Sequence, residues 1–346
     1  MEQESQILIE KQGALGLVTL NRPRALNALT DEMCLALSAA LTDWARDGRV
    51  KAVAIRGAGP RAFCAGGDIR AMYDSNVAGS GAAADFLAHE YRLNAMIGGF
   101  AKPYVALTHG IVMGGGAGVS VHGRYRLADE TLRFAMPETG IGFITDIGAT
   151  YFLSRCPGQT GLYLGLTGTP IGLADAMALG LFTHAVKAEG HDALIARLAD
   201  GEVAKDAIAA FAFRAGPPPL AAHRARIDTI FAAASVEAVL ERLDRDGSDF
   251  AVETAARMRT RSPTSLKLIF RAIREARRLG LADCLKMEYR LAARMVMGHD
   301  FREGVRATLI DRDGRPQWEP ASLAGVTEAG IAGFFASLGA RELVLT

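Results

Sequence analysis

The 346-residue chain has almost no net charge, few cysteines and no long apolar run, and each absence narrows what it can do. Its 39 basic and 38 acidic side chains leave a formal charge of +1, so nothing in the overall balance favours nucleic acid or an anionic membrane as a partner. A local group of Arg and Lys can still hold one anionic ligand. No segment offers the roughly 18 apolar residues that a membrane-spanning helix needs. The four cysteines, Cys34, Cys64, Cys156 and Cys284, form no CxxC pair and no metal-like spacing, which fits a reducing compartment. Met1 to Glu10 carries three acidic residues and no apolar core, so it reads as neither a secretory signal nor an Arg-rich transit peptide, and the expected location is cytoplasmic. There is no GxxxxGK[ST] phosphate loop, no GxSxG nucleophile turn and no HExxH pair. No solenoid-type repeat or low-complexity tract occurs. Cys64 has no basic partner nearby in sequence and suits a small packing role, and His122 and His299 read as structural or surface residues.

What is present is alternation. Leu15–Leu20 has strand character and ends at the turn residues Asn21-Arg22-Pro23. Thr30 then caps a helix whose apolar face is Met33, Leu37, Leu41 and Trp44, with Gly48 as its stop. Val50–Arg56 is a strand-length apolar run, the stretch 57–68 is glycine-rich, and Phe86–Ile97 reads as helix. The unit then recurs: strand Tyr104–Thr108, glycine-rich 110–118, a short buried helix from Val119, and strands Tyr125–Ala128 and Leu132–Phe134. Strands alternating with helices predict an α/β fold. Gly216-Pro217-Pro218-Pro219 reads as a linker. Beyond it the pattern is helical: Ser262-Pro263 starts a helix with Leu266, Ile269, Phe270 and Ile273 on one face and Gly280 as its end, and a second helix covers about 283–297. The expected division is a core at 1–210 and a mainly helical region at 211–346.

Three constellations can carry chemistry. Phe63-Cys64-Ala65-Gly66-Gly67-Asp68-Ile69 and Met113-Gly114-Gly115-Gly116-Ala117-Gly118 each follow a strand. Two such loops can each offer a backbone N–H to one oxygen, the arrangement that stabilises charge developing on a carbonyl. They can equally be tight turns with close packing. In the third, Glu138 and Asp146 stand eight residues apart among Phe134, Met136, Ile141, Phe143 and Ile144. Carboxylates in such company are costly unless paired or functional, and can orient water or attack directly; capping of local backbone N–H groups is the alternative. Gly57-Ala58-Gly59-Pro60-Arg61-Ala62 matches a dinucleotide pattern only loosely, because Pro60, Gly66 and Gly67 interrupt the helix that pattern requires.

At Leu20-Asn21-Arg22-Pro23-Arg24-Ala25-Leu26-Asn27-Ala28-Leu29, at 63–69, at 109–118 and around Glu138, the chain resembles the crotonase (enoyl-CoA hydratase/isomerase) superfamily. The resemblance implies a spiral of ββα units with a helical C-terminal region, an acyl-CoA substrate, no separate cofactor because coenzyme A belongs to the substrate, no metal, and assembly into a homo-oligomeric trimer or hexamer. It implies that the amides of Gly67 and Gly115 hold the thioester oxygen. Arg24, Ala25, Leu26, Ala65, Gly66, Asp68, Ile69 and Gly114 would line the substrate channel, with Arg24 placed to meet a phosphate. Glu90, in His89-Glu90-Tyr91-Arg92-Leu93-Asn94, matches a position near the acyl pocket, where composition alone would suggest a solvated helix face.

Within the superfamily, hydratases carry a second, earlier glutamate, and its position here is Gly118, which has no group to move a proton. Glu138 with Asp146, in FAMPETGIGFITDIGATYFL, together with 286–291, 298–307 and 316–318, resembles the hydrolase branch instead. The implied reaction is hydrolysis of a short 3-hydroxyacyl-CoA such as the 3-hydroxyisobutyryl-CoA of valine breakdown. Hydration or isomerisation of another short acyl-CoA is the alternative. That branch has Pro-Asp-Val-Gly-Gly around its aspartate where this chain has Thr145-Asp146-Ile147-Gly148-Ala149, a difference that bears on acyl preference.

Overall fold

A computed structural model describes residues 5–345. Among the described residues ten strands occur in chain order: β1 (Ile7–Gln12), β2 (Leu15–Leu20), β3 (Ala52–Gly57), β4 (Ala62–Cys64), β5 (Tyr104–Thr108), β6 (Ile111–Met113), β7 (Tyr125–Ala128), β8 (Arg133–Ala135), β9 (His184–Val186) and β10 (Ala212–Phe213). They form a seven-stranded sheet in the order β1-β2-β3-β5-β7-β9-β10 and a three-stranded sheet in the order β4-β6-β8. The α/β class expected from the alternation is the class observed.

In the large sheet, β2, β3, β5, β7 and β9 pair in parallel, and β1 and β10 close the edges antiparallel. Parallel strands covered on both faces need continuous apolar runs rather than alternation. That is why LGLVTL and YVALT are buried at every position and AVAIRG at its first four. The small sheet collects the strands that follow β3, β5 and β7, so the chain passes from the large sheet to the small one after each of them.

The chain divides into two compact units, each built from separated segments. One comprises 1–67, 92–134 and 170–219, and the other 68–91, 135–169 and 220–346. The first contains the large sheet and its core, in which Leu17, Ala54, Leu107, Leu127 and Leu198 are packed together. The second is helical.

Several elements differ from the expectations. Ile7–Gln12, part of the opening segment read as lacking an apolar core, is an edge strand; residues 1–4 of that segment lie outside the described residues. The glycine-rich stretches hide β4 and β6, three-residue strands too short to show a period. Helix Ile69–Ala78 follows the first glycine pair unannounced, and the helix expected at Phe86 starts at Ala82. The short helix expected from Val119 is instead a turn at Gly115–Gly118. Tertiary packing there overrides glycine's poor propensity: a Cβ on Gly116 would lie 2.2 Å from the Cys64 carbonyl oxygen. The strand expected at Leu132–Phe134 lies one residue later. The helix capped by Thr30 runs Asp31–Arg46, with the Thr30 hydroxyl accepting from the Met33 N–H at 3.3 Å, and Asp47 rather than Gly48 at its end. The helix begun by Ser262-Pro263 ends at Ala276, four residues before Gly280, and the next runs Leu281–Met295.

Candidate active site

The two glycine loops lie side by side in the sheet-bearing unit. Gly66 has φ +127°, and a Cβ there would stand 3.9 Å from the Gly115 nitrogen and 3.7 Å from the Met113 carbonyl oxygen. Leu29 N–H donates to Gly66 O at 2.8 Å, and Leu29 bridges to Gly67. Gly115 is the first residue of its helical turn, so its N–H has no acceptor within that turn. Beside this pair, Arg24 and Ala25 lie exposed in a 3-10 turn, Pro23–Ala25, and Leu26 takes a left-handed conformation with φ 52°. Leu26 O accepts from Ala65 N at 3.0 Å, which joins the 24–26 segment to the first glycine loop. Gly114, at φ 46°, turns the chain into Gly115. Gly118 ends the turn fully buried, with no side chain to offer.

In the helical unit, Asp68 caps helix Ile69–Ala78 by accepting from Ala71 N at 3.2 Å, and Ile69 opens that helix. The same unit brings together four acids distant in sequence. Glu90 comes from helix Ala82–Gly98, Glu138 opens the 3-10 turn Glu138–Ile141, Asp146 precedes the turn into helix Ala149–Leu153, and Glu288 comes from helix Leu281–Met295. All four are buried, at 3, 6, 4 and 0% exposure. The solvated-face alternative for Glu90 is therefore excluded.

Burial governs the chemistry of this cluster. Taking a carboxylate out of water disfavours its charged form, and neighbouring carboxylates add repulsion. Burial and then the charge of Asp146 push both Glu90 and Glu138 well above the ordinary carboxylate range. Burial raises Asp146 to about 7, partly opposed by the Tyr91 hydroxyl, which donates to Asp146 Oδ2 at 2.5 Å. Burial raises Glu288 to about 8 against the pull of the donors around it. Glu90 Oε1 and Glu138 Oε2 have no hydrogen-bond partner although buried. Unsatisfied groups of this kind cost roughly 1–3 kcal/mol each and are retained where they serve function.

Tyr91 and Glu288 are the members that reading the sequence missed. Both stood inside stretches matched to the superfamily, but no spacing rule connects residue 91 or 288 to residue 146. Tyr91 was visible only as the neighbour of Glu90.

A model of the family described as enoyl-CoA hydratase/isomerase matches residues 15–335. A relative from Danio rerio named 3-hydroxyisobutyryl-CoA hydrolase, mitochondrial, is 46% identical over 99% of this chain and 92% of its own length. Among solved structures, a carnitinyl-CoA dehydratase from Mycobacterium thermoresistibile superimposes with a TM-score of 0.94 at 41% identity, covering 99% of each chain. An enoyl-CoA hydratase from Rhodobacter sphaeroides 2.4.1 gives 0.93 at 38%, covering 99% of this chain and 100% of its own. The names differ in reaction, while the two solved structures share this chain's fold. With a family model spanning most of its length, the expected spiral architecture matched by full-length structures, and near-complete overlap with these relatives, the chain belongs to the enoyl-CoA hydratase/isomerase family.

Proposed function

We propose that this protein is an acyl-CoA thioester hydrolase acting on a short 3-hydroxyacyl-CoA, with 3-hydroxyisobutyryl-CoA as its substrate and valine breakdown as its setting. The observation that carries this reading is the 46% identity, over nearly the whole chain, to a relative of that name. The buried acid pair supplies fitting chemistry.

In this reading the amides of Gly67 and Gly115 hold the thioester oxygen as it gains negative charge. Loss of one such donor costs on the order of 3 kcal/mol. Glu138, once ionised, either deprotonates a water that attacks the carbonyl carbon or attacks that carbon itself, forming an anhydride that water then opens. The C–S bond breaks, coenzyme A leaves as the thiolate, and the products are free coenzyme A and a 3-hydroxy acid. Asp146 orients the water or the substrate hydroxyl, and Glu90, held neutral by burial, donates to that hydroxyl. Arg24, Ala25, Leu26, Ala65, Gly66, Asp68, Ile69 and Gly114 line the channel for the coenzyme. No resident cofactor or metal is called for, because coenzyme A arrives with the substrate. Residues 211–346 complete the site and provide contacts in a homotrimer or paired trimer. The compartment is read as the cytoplasm, although the Danio rerio relative is named mitochondrial; among the described residues no helix is long and apolar enough to cross a membrane.

The second reading is hydration or isomerisation of an enoyl-CoA, favoured by the name of the Rhodobacter sphaeroides structure. Gly118 opposes it, since the position of the earlier hydratase glutamate has no proton-transfer group. Thiol release from 3-hydroxyisobutyryl-CoA, run beside the absorbance change on crotonyl-CoA, separates the two. Turnover of the first without the second supports hydrolysis, and the reverse discards it.

A further inference from the structure

Asp146 lies in an unusual setting for a group meant to orient a reactant. The turn that carries it has two successive residues in left-handed conformation, Ile147 at φ 58° and Gly148 at φ 81°. Glycine takes that conformation without strain, but a β-branched residue is a genuine outlier there and persists only if its surroundings enforce it.

Two side chains do so. Glu288, fully buried, accepts from Gly148 N–H at 2.6 Å, from Thr150 N–H at 2.8 Å and from the Thr150 hydroxyl at 2.5 Å. Its two oxygens thus clamp the backbone on the C-terminal side of the strained residue. Tyr91, also fully buried, donates its hydroxyl to Asp146 Oδ2, and its ring is held edge-on against Tyr289 at 5.9 Å. The titratable groups around Asp146 are acidic: Glu90 beside Tyr91 on helix Ala82–Gly98, Glu138 on its 3-10 turn and Glu288 on helix Leu281–Met295. A donor hydroxyl is what such a carboxylate needs in order to ionise and to keep one orientation. The Tyr91 hydroxyl remains protonated at working pH, since burial and then the Asp146 charge push it well above its ordinary value.

We propose that Tyr91 and Glu288 form a positioning frame for Asp146, with Tyr91 aiming and stabilising its carboxylate and Glu288 pinning the strained 146–150 turn that presents it. This rests on the reading that Asp146 acts in thioester hydrolysis. Neither residue touches the reacting atoms. The C-terminal region contributes one half of the frame, which gives that region a direct mechanical link to the site.

The test uses the full chain with Tyr91→Phe, Glu288→Gln and Asp146→Asn, singly and in pairs. Thiol release from 3-hydroxyisobutyryl-CoA is followed across the neutral pH range. Tyr91→Phe is expected to lower kcat by about tenfold or more while KM stays within about twofold, and to move the acidic limb of the pH profile upward by about one unit. Glu288→Gln is expected to lower kcat by a similar factor, and both losses should shrink towards nothing in the Asp146→Asn background, which purely structural damage would not do. A second measurement needs no substrate: the difference in Tm between wild type and Tyr91→Phe should widen as pH rises through about 7 and lose that trend in the Asp146→Asn background. If wild type fails to turn over the thioester, the functional reading fails while the Tm comparison still judges the frame. Unchanged kcat and pH limb in Tyr91→Phe, losses undiminished in Asp146→Asn, or a pH-independent Tm difference overturns the proposal; the Tyr91 arm stands even if Glu288→Gln does not fold.

Discussion

The core of the sheet-bearing unit and the acid cluster of the helical unit are both buried, yet they are opposites in how they handle polarity. In the first, Leu17, Leu107, Leu127 and Ala54 are fully buried and the backbone polar groups are consumed by parallel ladders. In the second, four carboxyl groups sit at 6% exposure or less, with oxygens of Glu90 and Glu138 unpartnered. The first region gains stability from burial; the second gives stability up by holding acids away from bulk solvent. That difference is the reason the acid cluster is the candidate site: buried acids with raised pKa values gather where chemistry needs them.

The largest effect that would sharpen the contrast comes from Glu138→Gln. Thiol release should fall by about 10²–10⁴-fold, while Tm stays unchanged or rises because an unsatisfied buried acid has gone. Equal turnover in the variant would remove the pocket from the mechanism. Leu107→Ala in the sheet core should do the reverse, costing about 2–5 kcal/mol in denaturant unfolding while the folded fraction keeps its kcat. A core change that altered kcat strongly at unchanged stability would break the comparison.

The pH response distinguishes the regions next. The pocket acids have folded-state values raised above their unfolded ones, Asp146 to about 7 and Glu288 to about 8. The folded state therefore binds more protons than the unfolded state over that window. The stability this lends is fully present below the ordinary carboxylate range and is lost as pH rises through about 7–8. Tm should fall across that window, and Asp146→Asn should flatten part of the slope. A wild-type Tm that rises steadily from the acidic range to pH 8 would contradict the assigned burial. Catalysis should run the other way, with kcat/KM climbing as the pocket acids ionise. The smallest effect is expected at the Thr30 cap: Thr30→Ala should cost about 1 kcal/mol of stability with no change in the pH profile.

The buried runs LGLVTL and YVALT, the capped helix at Thr30 and the Ser262-Pro263 helix start were legible because each is a local signal of period, cap or turn. The three-residue strands around the glycine loops were not, since so short a run has no period and its pairing partner is distant in sequence. The superfamily motifs pointed to Gly67, Gly115, Glu90, Glu138 and Asp146. The structure brings Gly66 beside Gly115 in one unit and the three acids into one buried cluster in the other.

Taken alone, the sequence determined the α/β class, the family and the acids worth watching, because hydrophobic period, turn chemistry and motif are properties of neighbouring residues. Tertiary structure alone decided that Glu90 is buried rather than solvated, that Tyr91 donates to Asp146, and that Glu288 reaches back 140 residues to hold Gly148. Desolvation and hydrogen bonding depend on which atoms exclude water from a point in space, and no spacing along the chain encodes that.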